Sequence, residues 1–259
     1  MQSGDRAYVE LLERWKALRG RSDIRVREVA CVNAPRTLLC AELGDAERPT
    51  IALSAGVHGD EPAGPYALLD LIENDRLDPR FAYRIWPCTN PTGFAGGTRA
   101  NVDGIDINRT FGKGGGAPES RAIVMANRDL KFALSIDLHE DSDAAGFYCY
   151  EYGGGTYGLS AVSAVEAAGF PVETLEELEI GGPMLDRVIV RERGRITADP
   201  FQEAAVLEGL SYSLVLARNA ARNALTFETP GTHPLEQRIA MHVVAVTTVI
   251  ERLSQTIYK

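Results

Sequence analysis

Cysteine and histidine are scarce in this chain of 259 residues, four of each. The cysteines, Cys31, Cys40, Cys88 and Cys149, show no Cys-x-x-Cys spacing and no dense framework. A disulfide scaffold is therefore excluded as the organising device. The four read as reduced, mostly buried thiols of a cytoplasmic protein, with two disulfides as the formal alternative. Positive charge is also short: 27 Lys and Arg against 36 Asp and Glu, a net charge of −9. Such a balance offers nothing electrostatic to nucleic acid or to an anionic membrane, so neither is expected as a partner. No apolar run approaches the ~20 residues of a membrane span. The opening residues, with Tyr8, Leu11, Leu12, Trp15 and Leu18 at helical spacing, lack the apolar core of an export signal. Repeats, linkers and low-complexity tracts are missing too, so residues 1–259 are expected to form a single domain.

What remains is an ordinary globular composition, 45% hydrophobic and 24% charged, arranged as alternating short apolar runs and helical patterns. A helix is expected over 5–19, then strands at Ile24–Cys31, Thr37–Leu43 and Thr50–Ala55, a helix at Pro65–Glu73 and a strand at Tyr83–Pro87. Asn90–Gly116 is rich in Gly, Asn and Asp and reads as one long loop, a length that usually marks function. Beyond it come a helix at Glu119–Asp129, strands at Phe132–Leu138 and Phe147–Tyr152, and a helix at Gly158–Ala168. A hairpin is expected around Val188–Ile196, a helix at Gln202–Leu210, a strand at Ala224–Glu228 and a closing helix at Pro234–Leu253. Residues 211–219 have no assignment. The alternation predicts an α/β fold: a single mixed, mostly parallel twisted sheet flanked by helices. In such sheets ligands meet the carboxyl ends of strands, and His58, His139 and Glu228 each lie at the end of an apolar run.

Three positions suit a metal. His58 and Glu61 flank a turn containing Gly59, and His139 follows a buried strand. Two imidazoles and a carboxylate with one open position make a catalytic zinc site, whose ion lowers the pKa of a water toward 7. Taken alone, His58 and Glu61 would equally suit the start of the following helix, whose N-terminus favours an acid. His233 and His242 read as structural.

The segment Asn90–Gly112 tips that balance. Asn90-Pro91-Thr92-Gly93-Phe94, Thr98-Arg99 and Gly104-Ile105-Asp106-Ile107-Asn108-Arg109 come in order between the His-x-x-Glu turn and His139, and Phe227-Glu228-Thr229-Pro230 follows. This series resembles the zinc carboxypeptidase family, near its succinylglutamate desuccinylase and aspartoacylase branch, over roughly residues 50–250. The resemblance implies a carboxypeptidase-like fold and one Zn2+ held by His58, Glu61 and His139. It implies that Asp106 orients His58, that Glu228 is the general base and that Arg99 stabilises the oxyanion. Asn108 and Arg109 would grip a substrate carboxylate. Glu140, beside His139, is the rival base, and a substrate-binding tyrosine would be Tyr212, Tyr148, Tyr150 or Tyr152. The implied activity is hydrolysis of an amide next to a free carboxylate, in a small peptide first and in an N-acyl amino acid second. A metal-free binding protein on the same fold is the alternative of another class.

Overall fold

A computed structural model describes residues 3–112, 116–175 and 183–259. The elements in chain order are α1 (Ser3–Ala17), β1 (Ile24–Val29), β2 (Leu38–Leu43), β3 (Thr50–Ala55), α2 (Ala63–Glu73), β4 (Ala82–Trp86), α3 (Pro91–Gly96), α4 (Pro118–Asn127) and β5 (Leu134–Asp141). They continue with β6 (Tyr148–Tyr152), α5 (Tyr157–Ala167), β7 (Ile189–Glu192), β8 (Arg195–Ala198), α6 (Pro200–Val206), α7 (Tyr212–Asn219), β9 (Ala224–Pro230) and α8 (Leu235–Ile257). All the described strands join one sheet in the order β1-β2-β4-β3-β5-β9-β6-β8-β7. Its centre, β4-β3-β5-β9, is parallel. Antiparallel pairs flank it, β1-β2 and β2-β4 on one side, β6-β9 and β7-β8 on the other.

Alternation along the central strands sorts the molecule into layers. Ile51, Leu53 and Ala55 of β3, Leu134, Ile136 and Leu138 of β5, and Leu225 and Phe227 of β9 all point into one apolar layer, shared with α2, α5 and α8. Because side chains alternate across a strand, Ser54, Asp137, His139, Thr226 and Glu228 must emerge on the other face. There α7 packs against β5 and β9, and a second apolar cluster containing Ala52, Trp86, Ile107, Ile123 and Leu216 fills the space. The four parallel strands end on one edge, so the polar residues at their carboxyl ends are gathered at a single place.

Several expected boundaries shift for local reasons. β5 runs on to Asp141, so His139 lies within the strand rather than after it, held in register by β9. The segment read as one loop, 90–116, contains α3 and a turn of 3-10 helix at Ile107–Arg109. α3 is short but fully specified: Asn90 accepts from the Gly93 N–H, Pro91 opens the helix, and Gly97 at φ 62° closes it in the left-handed region. Ser211 caps Leu214 and so starts α7 in the stretch without an assignment. Asp199 accepts from the N–H groups of Phe201 and Gln202 and starts α6 at Pro200, two residues before the expected helix. All four cysteines are buried and free. No helix among the described residues is long and apolar enough to cross a membrane.

Candidate metal centre

Two glycines shape the turn after β3. Gly56 has φ +64°, and a Cβ on Gly59 would stand 1.9 Å from the Gly93 carbonyl carbon. The turn therefore lies directly against α3, and the Gly59 N–H donates to the Thr98 carbonyl at 3.0 Å. Asn90 does the converse: besides capping α3, its side-chain amide donates to the Arg99 carbonyl at 3.1 Å. The Asn-Pro-Thr-Gly-Phe and Thr-Arg elements are thus parts of one scaffold that seats Arg99 beside His58.

His58, Glu61 and His139 are all buried and present ligand atoms within 4.8 Å of one another. His58 Nδ1 lies 2.5 Å from Glu61 Oε1, and His139 Nδ1 lies 2.9 Å from Glu61 Oε2. Each imidazole turns its other nitrogen to a second carboxylate. His58 Nε2 faces Asp106 at 3.4 Å, and His139 Nε2 faces Asp137 at 3.2 Å. The hydrogen bond to Asp137 orients the His139 ring so that its Nδ1 faces Glu61, while His58 Nε2 lies near Asp106 without a hydrogen bond among the described residues. Asp137 is itself anchored by the Ser54 hydroxyl, which donates at 2.6 Å. Burial works to raise the Glu61 pKa, but His139 and His58 overcome it and hold the carboxyl low. Burial works to lower that of His139, but Glu61 and Asp137 raise it well above its ordinary value. The group is thus an anionic carboxylate between two imidazoles, each facing a further carboxylate, and it could hold a metal ion.

Around it lies a cavity of about 590 Å³ lined by these three residues and by Arg99, Asn108, Arg109 and Glu228. Asp106 sits behind His58. Burial raises its pKa, but His58, Arg99 and Arg109 hold it well below the carboxylate range. Arg99 donates from Nη2 to Asp106 Oδ2 at 3.0 Å, and its Nη1 is 3.3 Å from His58 Nδ1. Asn108 is buried, with its side-chain oxygen accepting from the Tyr212 N–H at 3.1 Å. Arg109 is exposed, and its Nη1 donates to the Asn108 carbonyl at 3.1 Å. Glu228 stands directly opposite His139 in the sheet. Burial, reinforced by Glu61, Asp141 and Asp137 against the pull of His139, raises its carboxyl above the usual range.

Glu140 is otherwise engaged. Its Oε1 accepts from the Ala63 N–H at 2.5 Å, its Oε2 is paired with Arg238, and its own N–H donates to Glu61 Oε2 at 3.2 Å. It ties the start of α2 to Glu61. Tyr212 is turned into the core, where its hydroxyl accepts from Asn127 at 2.7 Å. Tyr148, Tyr150 and Tyr152, spaced by two along β6, all line the cavity. His242 is buried beside Thr229, and burial drops its pKa to about 3. His233 contacts only Gln237 at 3.3 Å among the contacts described for its ring. Sequence reasoning missed Asp137. Its signal was the two-residue spacing from His139, which on a strand means one face. Glu203, which also lines the cavity, carries no such signal.

The fold is of the metallocarboxypeptidase type, and the family and its neighbours indicate a hydrolase. A crystal structure from Shewanella amazonensis SB2B, described as a candidate metallopeptidase, is 26% identical, with 96% of this chain and 92% of that one covered and a TM-score of 0.76. The metallo-carboxypeptidase of Pseudomonas aeruginosa, solved in complex with (2-guanidinoethylmercapto)succinic acid, shares the fold at 15% identity, TM-score 0.65, with 96% and 69% covered. Carboxypeptidase SOL1 of Arabidopsis thaliana is 32% identical over 119 residues, 38% of this chain and 24% of that protein, so the match spans about a quarter of SOL1. The chain belongs to the family of the succinylglutamate desuccinylase/aspartoacylase catalytic domain, whose model matches residues 47–253.

Proposed function

We propose that this chain is a zinc-dependent hydrolase that cleaves an amide bond next to a free carboxylate, in the manner of a metallocarboxypeptidase. The observation that carries the reading is the convergence of His58, Glu61 and His139 in a cavity that also holds Glu228, Arg99 and Arg109. His58, Glu61 and His139 would hold the ion, which when bound would supply Lewis-acid chemistry. Arg109 and Asn108 hold the substrate's carboxylate, for which a guanidinium fork is suited. Arg99, kept in place by Asp106, donates to the carbonyl oxygen as negative charge develops there. Glu228 takes a proton at its carboxylate from the attacking water and returns it to the leaving nitrogen. A carboxylate can do this when it is held within hydrogen-bond reach of that water. The free, buried thiols fit a cytoplasmic setting.

A second reading, deacylation of N-acyl amino acids, is favoured by the family to which residues 47–253 belong. The succinic acid derivative bound by the Pseudomonas aeruginosa protein supports a carboxylate-bearing substrate under either reading. The test is a hydrolysis panel on the zinc-loaded protein: peptides with free or amidated termini and N-acyl amino acids, with native protein and Arg109→Lys. Amidation is expected to hurt the native enzyme far more than the mutant, because the fork is already lost there. Equal losses would remove the clamp, and cleavage confined to N-acyl amino acids would select the second reading.

A further inference from the structure

A run of buried polar contacts leads from the sheet to the cavity, and each contact has a fixed direction. It begins at Arg84 of β4, which is buried and paired with Glu42 of β2. Arg84 Nη2 donates to the Ala126 carbonyl at 2.9 Å, and the guanidinium stands 5.5 Å from the centre of the Trp86 ring. Its Nε donates to Asn127 Oδ1 at 3.2 Å. A guanidinium has no acceptor, so Asn127 can turn only its oxygen to Arg84. The Asn127 nitrogen then donates to the Tyr212 hydroxyl at 2.7 Å. Tyr212 packs its ring 4.9 Å from that of Phe111 and is the first residue of α7. A helix leaves its first N–H groups without partners inside itself. The Tyr212 N–H is one of these, and it donates to Asn108 Oδ1 at 3.1 Å. A backbone N–H cannot accept either, so the Asn108 oxygen is turned to α7, and the side chain has its amide nitrogen, a donor of two protons, left to offer. Asn108 lines the cavity beside Arg109, whereas Arg84 and Asn127 are not among the lining residues. Arg84, Asn127, Tyr212 and Asn108 are all buried, and a low local dielectric strengthens such contacts.

We propose that Asn127 is a positioning residue: held by Arg84, it anchors the Tyr212 ring and with it the first turn of α7, so that Asn108 presents its amide nitrogen, and not its oxygen, to the carboxylate of a ligand held by Arg109. A carboxylate accepts and does not donate. An asparagine turned the other way would set oxygen against oxygen, so the direction of the Asn108 amide decides whether it helps or opposes binding. Asn127 acts only through Tyr212, since it has no place on the cavity wall. The inference rests on the proposed grip of Asn108 and Arg109 on a carboxylate, and it goes beyond that reading by saying what sets the direction of the grip.

The experiment compares the full native chain with Asn127→Leu, Asn127→Asp, Tyr212→Phe and the double variant Asn127→Leu/Tyr212→Phe. The first readout needs no turnover: NMR relaxation of the 15N-labelled asparagine side chains, with the Asn108 amide assigned by its loss in Asn108→Asp. In the native chain this amide should be rigid, with an order parameter near ~0.85, and in Asn127→Leu and Tyr212→Phe it should fall below ~0.6. The second readout is hydrolysis of N-benzoylglycine and of its terminal amide by the zinc-loaded proteins. The preference for the free acid in kcat/KM should drop ~10-fold in each single variant, the scale of one hydrogen bond to a charged group. The drop should fall on KM, since the carboxylate is gripped alike in the ground state and the transition state. The double variant should lose no more than either single one, because both substitutions break the same link. Asn127→Asp still accepts from Arg84 and can accept from the Tyr212 hydroxyl, so it should stay within ~3-fold of native. A residue that serves stability alone would lower hydrolysis of acid and amide alike and leave the Asn108 amide rigid. A rigid Asn108 amide in folded Asn127→Leu, an unchanged acid-to-amide ratio, or losses that add in the double variant would overturn the inference. Where Asn127→Leu fails to fold, Tyr212→Phe, which removes one oxygen, carries the same test. If neither compound is cleaved, the reaction is rejected for this substrate, and loss of Asn108 order in the variants still upholds the inference. Hydrolysis with an amide indifferent to Asn127 rejects the inference alone.

Discussion

Asp137 offers a sharp test of how the metal site is held. Its carboxylate spans two buried groups, accepting from Ser54 Oγ at 2.6 Å and facing His139 Nε2 at 3.2 Å. Asp137→Ala strands both donors, at about 1–3 kcal/mol each for a buried unpaired group. Asp137→Asn can accept from His139 through its oxygen and donate to Ser54 through its amide, so it removes only the charge. Loss of a carboxylate behind a ligating histidine costs ~10- to 100-fold in metal affinity. The Asp137 side chain is 4% exposed and that of Asp106 28%, so water can replace Asp106 more readily. We expect Asp137→Ala to lie near ~100-fold, and Asp137→Asn and Asp106→Ala near ~10-fold. Competition titration of zinc against a chelator reads this order directly, with circular dichroism showing that each variant is folded. Native affinity in a folded Asp137→Ala variant would refute the claim that this carboxylate orients His139.

Glu228→Gln should keep the shape of the site and its metal but lose at least ~10²-fold in turnover, while Glu140→Gln, whose carboxylate is occupied by Ala63 and Arg238, should be milder on turnover; the reverse order in steady-state kinetics would reject Glu228 as the base. Gly59→Ala drives a Cβ to 1.9 Å from backbone that cannot yield; about 3 kcal/mol of destabilisation, a fall of ~6–12 °C in a thermal melt, is expected, and an unchanged melting temperature would contradict the packing of this turn on α3. Glu203 has a folded pKa raised above its ordinary value of 4.5, chiefly by burial. The folded chain then holds its proton after the unfolded chain has released it, so native stability falls as pH rises from about 4.5 toward the folded value. Glu203→Gln should remove that slope, and parallel pH profiles of the two proteins would contradict it.

The legibility of this chain followed the distance over which each signal acts. The HxxE turn, His139 and Glu228 could be placed from sequence because each ends an apolar run that becomes a central parallel strand. The strand ends do the gathering. The inner structure of 90–116 could not be read from periodicity, since α3 is specified by one cap, one proline and one left-handed glycine rather than by an apolar stripe. The roles of Glu140 and Tyr212 depended on partners remote in the chain, Ala63 and Arg238 for one, Asn127 for the other. No local pattern carries such pairings. Glu203 was silent for the same reason: its position on the cavity wall is set by the Asp199 cap of a short helix and by Tyr152, 51 residues away.

The central claim is that His58, Glu61 and His139 hold a catalytic metal. Elemental analysis of the purified native protein and of His139→Ala is its most direct test. Three ligands with an open position predict about one zinc per native chain, and its loss in His139→Ala with the fold retained. Stoichiometric zinc in His139→Ala, or a native protein that takes up no zinc when it is supplied, would contradict the account.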